Sequence, residues 1–177
     1  MIKKTVIVIG IIVISLISVN KLMAQKSKIK VGDSVPQFTL KDQNDINYSI
    51  ADLIGKKAMV IYFYPKDDTP GCTKEACSFR DEFEDFTALN AEVIGISSDN
   101  VVSHKRFAEK YRLPFTLLAD TKKEVQKMFG VPRSILGLIP GRVTYIIDKK
   151  GKVVYIFNSL GKAEQHIIEA KNILKSL

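Results

Sequence analysis

The two cysteines of the chain, Cys72 and Cys77, are the side chains best suited to do chemistry. Two thiols are too few for a disulfide-rich framework. Cys72 directly follows Thr69-Pro70-Gly71, at the predicted start of a helix. The unpaired N–H groups and the positive dipole end of a helix N-terminus favour a thiolate. This position predicts a reactive thiol, and the alternative is that both cysteines are unreactive side chains of an ordinary amphipathic helix.

The spacing of the cysteines adds a conformational requirement. In a continuous helix, residues five apart are separated by about 7.5 Å of rise and turned by roughly 140°, whereas a disulfide needs Cα atoms within about 7 Å of each other. Cys72 and Cys77 therefore cannot pair unless the first turns of the helix unwind. Cys72 lies in line with the apolar face of the predicted helix, and Cys77 lies nearer its polar side with Arg80 and Asp81. The hydroxyl of Thr69 is close enough in sequence to face the Cys72 sulfur.

The elements that must position these thiols are indicated by hydrophobic periodicity. Residues 58–64 form a near-continuous apolar run, which predicts a strand buried on both faces. The later patterns predict strands over 92–97 and 115–118 and a hairpin of 142–147 and 152–157. They predict helices over 72–89 and 163–177. Two more helices lie between these: one is capped by Asp99 or Asn100 and ends at Tyr111, and a short one is capped by Thr121 and ends at Gly130. This order predicts an α/β fold with a central mixed sheet flanked by helices.

Composition limits the domain organisation and the function classes. The 177 residues, 46% hydrophobic and 26% charged, suit one folded domain plus an appendage and argue against a disordered chain or a multidomain machine. The formal net charge is +8, but no basic stripe with interleaved aromatic residues points to nucleic acid. We predict a domain over 30–177, a linker over 25–29 and a separate N-terminal segment over 1–24.

That N-terminal segment has the pattern of an export signal. Residues 5–19 contain eleven Val, Ile or Leu and no charge, and Lys3 and Lys4 precede them. A helix of this length would span about 22 Å, less than the roughly 30 Å of a bilayer core. The pattern predicts a signal peptide cleaved after Ala24 or an uncleaved membrane anchor, with a core element of the fold as a third alternative. Either of the first two predicts an extracytoplasmic protein, in the periplasm or cell envelope.

Several ordered motifs resemble one family. A P-x-x-x-T-x-x-C signature is present as Pro65, Thr69 and Cys72, within the longer run TPGCTKEACSFRD that starts at Thr69. FAEKYRLPFTLLAD over 107–120 and RVTYIID over 142–148 follow at the same spacing as in that family. Over residues 30–177 the sequence resembles the peroxiredoxins, specifically the peroxiredoxin Q or bacterioferritin comigratory protein branch. Asp45 departs from the pattern, which often has Gly at that position.

The resemblance implies a thioredoxin-like fold and a role for each motif residue. By this resemblance Cys72 is the peroxidatic cysteine, and Cys77 is the resolving cysteine that forms an intramolecular disulfide with it. Thr69 would hydrogen-bond the peroxide. Arg142, which in isolation would be interpreted as a solvated charge opening a strand, would hold the thiolate and polarise the O–O bond.

Two further residues of the motif receive supporting roles from the resemblance. Pro65 would shield the substrate pocket, and Glu75 would order its charged surroundings.

The activity implied is reduction of hydrogen peroxide and organic hydroperoxides without metal, haem or flavin. Thioredoxin or a similar thiol reductant would recycle the enzyme, which is expected to be a monomer, with membrane contact through the N-terminal segment. One alternative is an exported thiol-disulfide oxidoreductase, although such enzymes usually carry C-x-x-C. A second is a non-catalytic redox-sensing module with a thioredoxin-like fold.

The two histidines invite a metal site, but their spacing from the cysteines is poor for zinc. His104 lies near the apolar positions Phe107, Ala108 and Tyr111 and is predicted to be a hydrogen-bonded side chain on a helix flank. His166 is predicted to lie on the surface.

Overall fold

The computed structural model describes residues 28–134 and 139–177. The predicted leader over 1–24 and most of the predicted linker lie outside the described residues. Within the described ranges, no helix combines the length and the apolar character needed to cross a membrane.

The described chain forms nine strands. Their bounds are β1 Thr39–Asp42, β2 Asn47–Ser49, β3 Ala58–Phe63, β4 Ala91–Ser97, β5 Thr116–Ala119, β6 Arg133–Ser134, β7 Ile139–Pro140, β8 Val143–Ile147 and β9 Val153–Asn158.

Five α-helices and one short 3₁₀ helix, Ile50–Leu53, connect these strands within the described ranges. The α-helices are α1 Pro70–Asp81, α2 Phe83–Ala88, α3 Val101–Tyr111, α4 Glu124–Phe129 and α5 Ala163–Leu174.

Seven strands form one mixed sheet in the order β2-β1-β5-β4-β3-β8-β9. The strands β3, β4 and β5 are parallel, and β8 pairs antiparallel with β3. Every residue of β3 is buried, as the apolar run predicted. Val60 and Tyr62 face a core shared with α1, α3 and α5, while Met59 and Ile61 face a second core on the other side of the sheet. The predicted α/β class, with a central mixed sheet flanked by helices, is confirmed.

The single helix predicted over 72–89 is wrong, because the structure divides it into α1 and α2. Glu82 separates them with φ −106° and ψ 12°, outside the helical region. Phe79 and Phe86 are both fully buried, and their ring centroids lie 5.6 Å apart. The 3- and 4-residue spacing of the phenylalanines continues across the break, so periodicity alone did not reveal it.

The hairpin of β1 and β2 was not predicted, because its short strands are only partly buried and lack an apolar run. Its turn explains the departure at Asp45, which adopts a left-handed φ of 64°. Glycine reaches this region without strain, and aspartate tolerates it better than most residues. Asp42 accepts hydrogen bonds from the backbone of Asn44 and Ile46 and closes the turn.

The helix starts were predicted with mixed success. Asn100 caps α3 by accepting a hydrogen bond from the Ser103 backbone N–H at 2.9 Å, as predicted. Thr121 does not cap α4, which begins after Lys123. The Asp120 carboxylate instead accepts from the first N–H groups of α4, a role that a capping residue immediately before the helix usually has. Gly130 ends α4 at φ 62°, as predicted.

Candidate active site

The end of β3 and the first turn of α1 place Cys72 at the centre of the site. Thr69 is the last extended residue before the helix, and Pro70 occupies the first helical turn, where a missing N–H costs no hydrogen bond. Cys72 is the third residue of α1 and is only 2% exposed. Its sulfur therefore lies close to the unpaired N–H groups of the helix N-terminus, which favour negative charge.

Arg142 provides a full positive charge beside this sulfur. It lies one residue before β8, which pairs with β3, and its Nη2 is 3.5 Å from Cys72 Sγ. Its Nε donates to the Leu160 carbonyl at 3.1 Å, and its Nη1 donates to Glu75. Arg142 is 3% exposed, so it is not the solvated charge that its isolated position suggests. A Cβ on Gly71 would lie 3.1 Å from Nη2, so a glycine here allows the guanidinium to approach α1.

Glu75 lies three residues after Cys72 on the same side of α1 and is fully buried. Burial raises the pKa of Glu75 from 4.5 to about 8, although the neighbouring Arg142 acts in the opposite direction. Arg142 contacts Oε2, while Oε1 has no hydrogen-bond partner among the described residues. The structure thus places the Glu75 carboxyl group beside Arg142, close to Cys72.

His166 was predicted to lie on the surface, and that prediction is wrong. The His166 side chain on α5 is fully buried. Burial is possible because both ring nitrogens have hydrogen-bond partners: Nε2 lies 2.9 Å from the Ser159 carbonyl and Nδ1 lies 2.7 Å from Thr144 Oγ1. Burial lowers the pKa of His166 to about 4, so the ring is neutral at pH 7. Its Nδ1 lies 3.7 Å from Oε1 of Glu75.

Two predicted site residues do not contact the sulfur in this state. Thr69 donates its hydroxyl to the Lys66 carbonyl at 3.1 Å. Cys77 is half-buried on α1, and both cysteines are free thiols. Pro65 is half-buried in the loop between β3 and α1.

A buried pair of side chains, Asp67 and His104, holds the loop between β3 and α1 in place and was not predicted. His104 on α3 places Nδ1 2.9 Å from the Asp67 carboxylate and Nε2 3.1 Å from the Leu118 carbonyl. Both ring nitrogens of His104 thus face acceptor oxygens, and the ring links the loop to α3 and β5. Tyr64 also donates to Asp67, at 2.7 Å. Burial opposes the charge on Asp67, yet the contacts with His104 and the hydrogen bond from Tyr64 together hold the pKa of Asp67 below its usual value. The prediction of a hydrogen-bonded His104 is confirmed.

A cleft of about 470 Å³ opens beside the buried site. Its wall includes Leu160, whose carbonyl accepts a hydrogen bond from Arg142, and Gly71, Lys74 and Ile168. In the described part of the chain, no three side chains of His, Cys, Asp or Glu gather as metal ligands would.

Comparisons with known proteins agree with this geometry. Residues 31–156 match the AhpC/TSA family. The chloroplastic peroxiredoxin Q of Triticum aestivum is 52% identical over 150 residues, covering 85% of this chain and 69% of the relative, and that of Populus jackii is 51% identical over 151 residues, covering 85% and 70%. The crystal structure of peroxidoxin BcpB from Mycobacterium tuberculosis superposes with a TM-score of 0.78 at 37% identity, covering 84% of this chain and 98% of that one. The PrxQ structure from Xylella fastidiosa superposes with a TM-score of 0.76 at 28% identity, covering 85% of this chain and 98% of that one.

The extracytoplasmic location predicted from residues 1–24 is contradicted by these relatives. The proteins from Triticum aestivum, Populus jackii and Arabidopsis thaliana are named as chloroplastic. A plastid is an organellar compartment and not a periplasm or cell envelope. The prediction of location, which rested on an apolar run of 15 residues after two lysines, is therefore wrong.

The predicted thioredoxin-like fold is confirmed by the same matches. The buried thiol at a helix start, the arginine beside it and the identity to known relatives all point to one family. The chain belongs to the AhpC/TSA family and is a peroxiredoxin of the Q branch, a thiol-dependent peroxidase.

Proposed function

We propose that Cys72 is the peroxidatic cysteine. The observation that carries this proposal is the 3.5 Å contact between its buried sulfur and Arg142 Nη2 at the first turn of α1. The thiolate attacks the terminal peroxide oxygen, the O–O bond breaks, and the leaving oxygen departs as water or an alcohol after taking a proton. Cys72 is left as a sulfenic acid. Arg142 stabilises the charge on sulfur and then on the oxygen that leaves.

Cys77 acts as the resolving cysteine in this proposal. Its sulfur attacks the sulfenic acid, releases water and forms the Cys72–Cys77 disulfide. The two thiols are five positions apart on one helix, so the first part of α1 must unwind before they can meet. The C-terminal part of α1 is held in place, because Arg80 donates to the Tyr111 carbonyl at 2.8 Å and Phe79 is fully buried. Unwinding is therefore confined to the turns that contain the cysteines.

Thr69 and Pro65 shape the peroxide pocket. The Thr69 hydroxyl is 3.1 Å from the Lys66 carbonyl, and a single side-chain rotation would let it hydrogen-bond a peroxide at Cys72. Pro65 has no N–H, so it shields the pocket without adding a competing donor. The cleft beside Leu160 and Ile168 offers apolar surface to the organic part of a hydroperoxide.

The enzyme uses a peroxide and a thiol reductant such as thioredoxin. We further propose that thioredoxin itself reduces the disulfide and that the enzyme works as a monomer. Residues 1–24 act as a leader that is removed or contacts a membrane, 25–29 form a linker, and 30–177 form the catalytic domain. Intact mass of the cell-derived protein tests removal of the leader, vesicle flotation tests membrane contact, and light scattering tests the monomer.

Two serine variants test the cysteine roles against each other. Cys72→Ser is expected to abolish peroxide consumption with dithiothreitol as donor, and full activity would refute the peroxidatic assignment. Cys77→Ser is the matched control on the same helix: it is expected to complete the first turnover but to accumulate sulfenic acid and fail to recycle with thioredoxin. If the wild type does not lose the mass of two hydrogens after one equivalent of peroxide, the resolving role of Cys77 is wrong.

A further inference from the structure

One cation lies between two acidic groups in the buried site. Arg142 directs Nη2 to the Cys72 sulfur and Nη1 to the Glu75 carboxyl group, and all three side chains are at most 3% exposed. A single positive charge can neutralise only one anion. If Cys72 and Glu75 were both ionised, the cluster would carry an uncompensated buried negative charge, which is strongly unfavourable.

The hydrogen bonds around His166 show which acid is neutral. Nε2 faces the Ser159 carbonyl and must carry the ring proton, so Nδ1 is an acceptor in the neutral ring. Oε1 of Glu75 lies 3.7 Å from that nitrogen and has no hydrogen-bond partner among the described residues. That nitrogen already accepts a hydrogen bond from Thr144 Oγ1 at 2.7 Å and has no proton to donate, so an ionised Oε1 would be buried without any donor. A neutral carboxyl group avoids that uncompensated charge.

No other described group facing Glu75 supplies a compensating charge. From β3, the fully buried Tyr62 faces the cluster, and burial raises its pKa well above 10, so it is a neutral phenol. From β8 comes Thr144, an uncharged hydroxyl that lies against His166. From α5 comes the neutral His166, and from α1 Cys72 itself.

We propose that Glu75 is a neutral carboxylic acid while Cys72 is a thiolate, so that the positive charge of Arg142 stabilises the sulfur. This proposal rests on the proposed role of Cys72. The proton that leaves the Cys72 thiol stays within the cluster, on Oε1 of Glu75. When the thiolate is consumed, Arg142 becomes free to pair with Glu75, and the carboxyl group releases that proton to the leaving oxygen, which departs as water or an alcohol.

Infrared spectroscopy of the reduced full-length protein tests this directly, because a protonated carboxyl group has its own C=O band. The difference spectrum between wild type and Glu75→Gln is expected to show that band at pH 7 and to lose it at alkaline pH. In Cys72→Ser, the midpoint of this loss should move at least about one pH unit lower, because Arg142 is then available to the carboxylate. Absence of the band from the reduced wild type at pH 7 would overturn the proposal.

A control variant removes a hydroxyl outside the cluster. Tyr155→Phe deletes a hydroxyl bonded to Glu169 of α5 at 3.1 Å and should leave the midpoint unchanged. A shift in this variant as large as that in Cys72→Ser would show that the midpoint does not report the sharing of Arg142, and would overturn the proposal.

The failure of this proposal is distinguishable from the failure of the proposed function. Retained peroxide consumption by Cys72→Ser would refute the function of Cys72. An unchanged Glu75 midpoint in a Cys72→Ser protein that no longer consumes peroxide would refute only the sharing of Arg142.

Discussion

Replacing Arg142 with glutamine should slow the reactions of Cys72 more than any other single change that leaves the thiol in place. The charge lies 3.5 Å from the sulfur, and both groups are buried, so water and salt screen them little. Coulomb's law with an effective dielectric of about 20 sets a ceiling of about 5 kcal/mol for this attraction. Hydrogen bonds to a charged group have a net value of about 1.5–3 kcal/mol. That range corresponds to roughly a 10- to 150-fold loss of reactive thiolate.

The assay is the rate of Cys72 alkylation by iodoacetamide as a function of pH, together with the rate of peroxide reduction. Arg142→Gln is expected to lose reactivity at pH 7 by the factor above and to regain most of the alkylation rate at high pH. The alkylation rate of Arg142→Lys at pH 7 should lie between those of the wild type and Arg142→Gln. One ammonium group keeps the charge but cannot reach the sulfur, Glu75 and the Leu160 carbonyl together. Arg106→Gln, a change of an exposed arginine on α3, is the control for a lost surface charge.

The double variant Arg142→Gln/Glu75→Gln guards against a trivial loss of fold, since it removes any unpaired buried carboxylate. If either folded glutamine variant alkylates at the wild-type rate across the pH range, Arg142 does not activate Cys72 and the electrostatic argument fails.

Two further predictions concern stability. His104→Phe should destabilise the protein by about 3–5 kcal/mol in urea unfolding, because it leaves the buried carboxylate of Asp67 without its partner on α3. A loss below about 1 kcal/mol would show that the pair does not hold the loop in place. Because the pKa of Glu75 is raised from 4.5 to about 8 by burial, the unfolded chain releases this proton at a lower pH than the folded one. The stability contributed by this group is therefore complete below pH 4.5 and decreases as the pH rises through 8. Glu75→Gln should flatten that decrease in unfolding free energy, and an equally steep decrease in the variant would contradict the assignment.

The parts of the site that were predicted share one property: they are encoded by residues close together along the chain. Cys72 lies at a strand-to-helix junction that the apolar run over 58–64 and the turn residues indicate, and the same short segment carries Thr69 and Pro65. Arg142 was identified only through the resemblance of RVTYIID to a family motif. By itself, its place before a strand suggested a solvated charge.

The parts that were missed depend on contacts between distant residues. Asp67 and His104 are 37 positions apart and meet because α3 packs over the end of β3. His166 is a polar side chain on the buried face of α5, whose other buried residues are apolar. Its burial is tolerable only because Ser159 and Thr144 supply its hydrogen-bond partners. Satisfaction of a buried polar group is a property of its surroundings and leaves no periodic signal.

The sequence by itself determined the class of fold, predicted a reactive thiol at Cys72 and showed that α1 would have to unwind for Cys77 to reach Cys72. These follow from local periodicity and from the fixed geometry of a helix. Only the tertiary structure decided that Arg142 lies between the sulfur and Glu75, with His166 behind it. The reason is that charges interact across space. β8 pairs with β3 and α5 packs against β8 and α1, which brings Arg142 beside residues 67 and 70 positions away in the sequence.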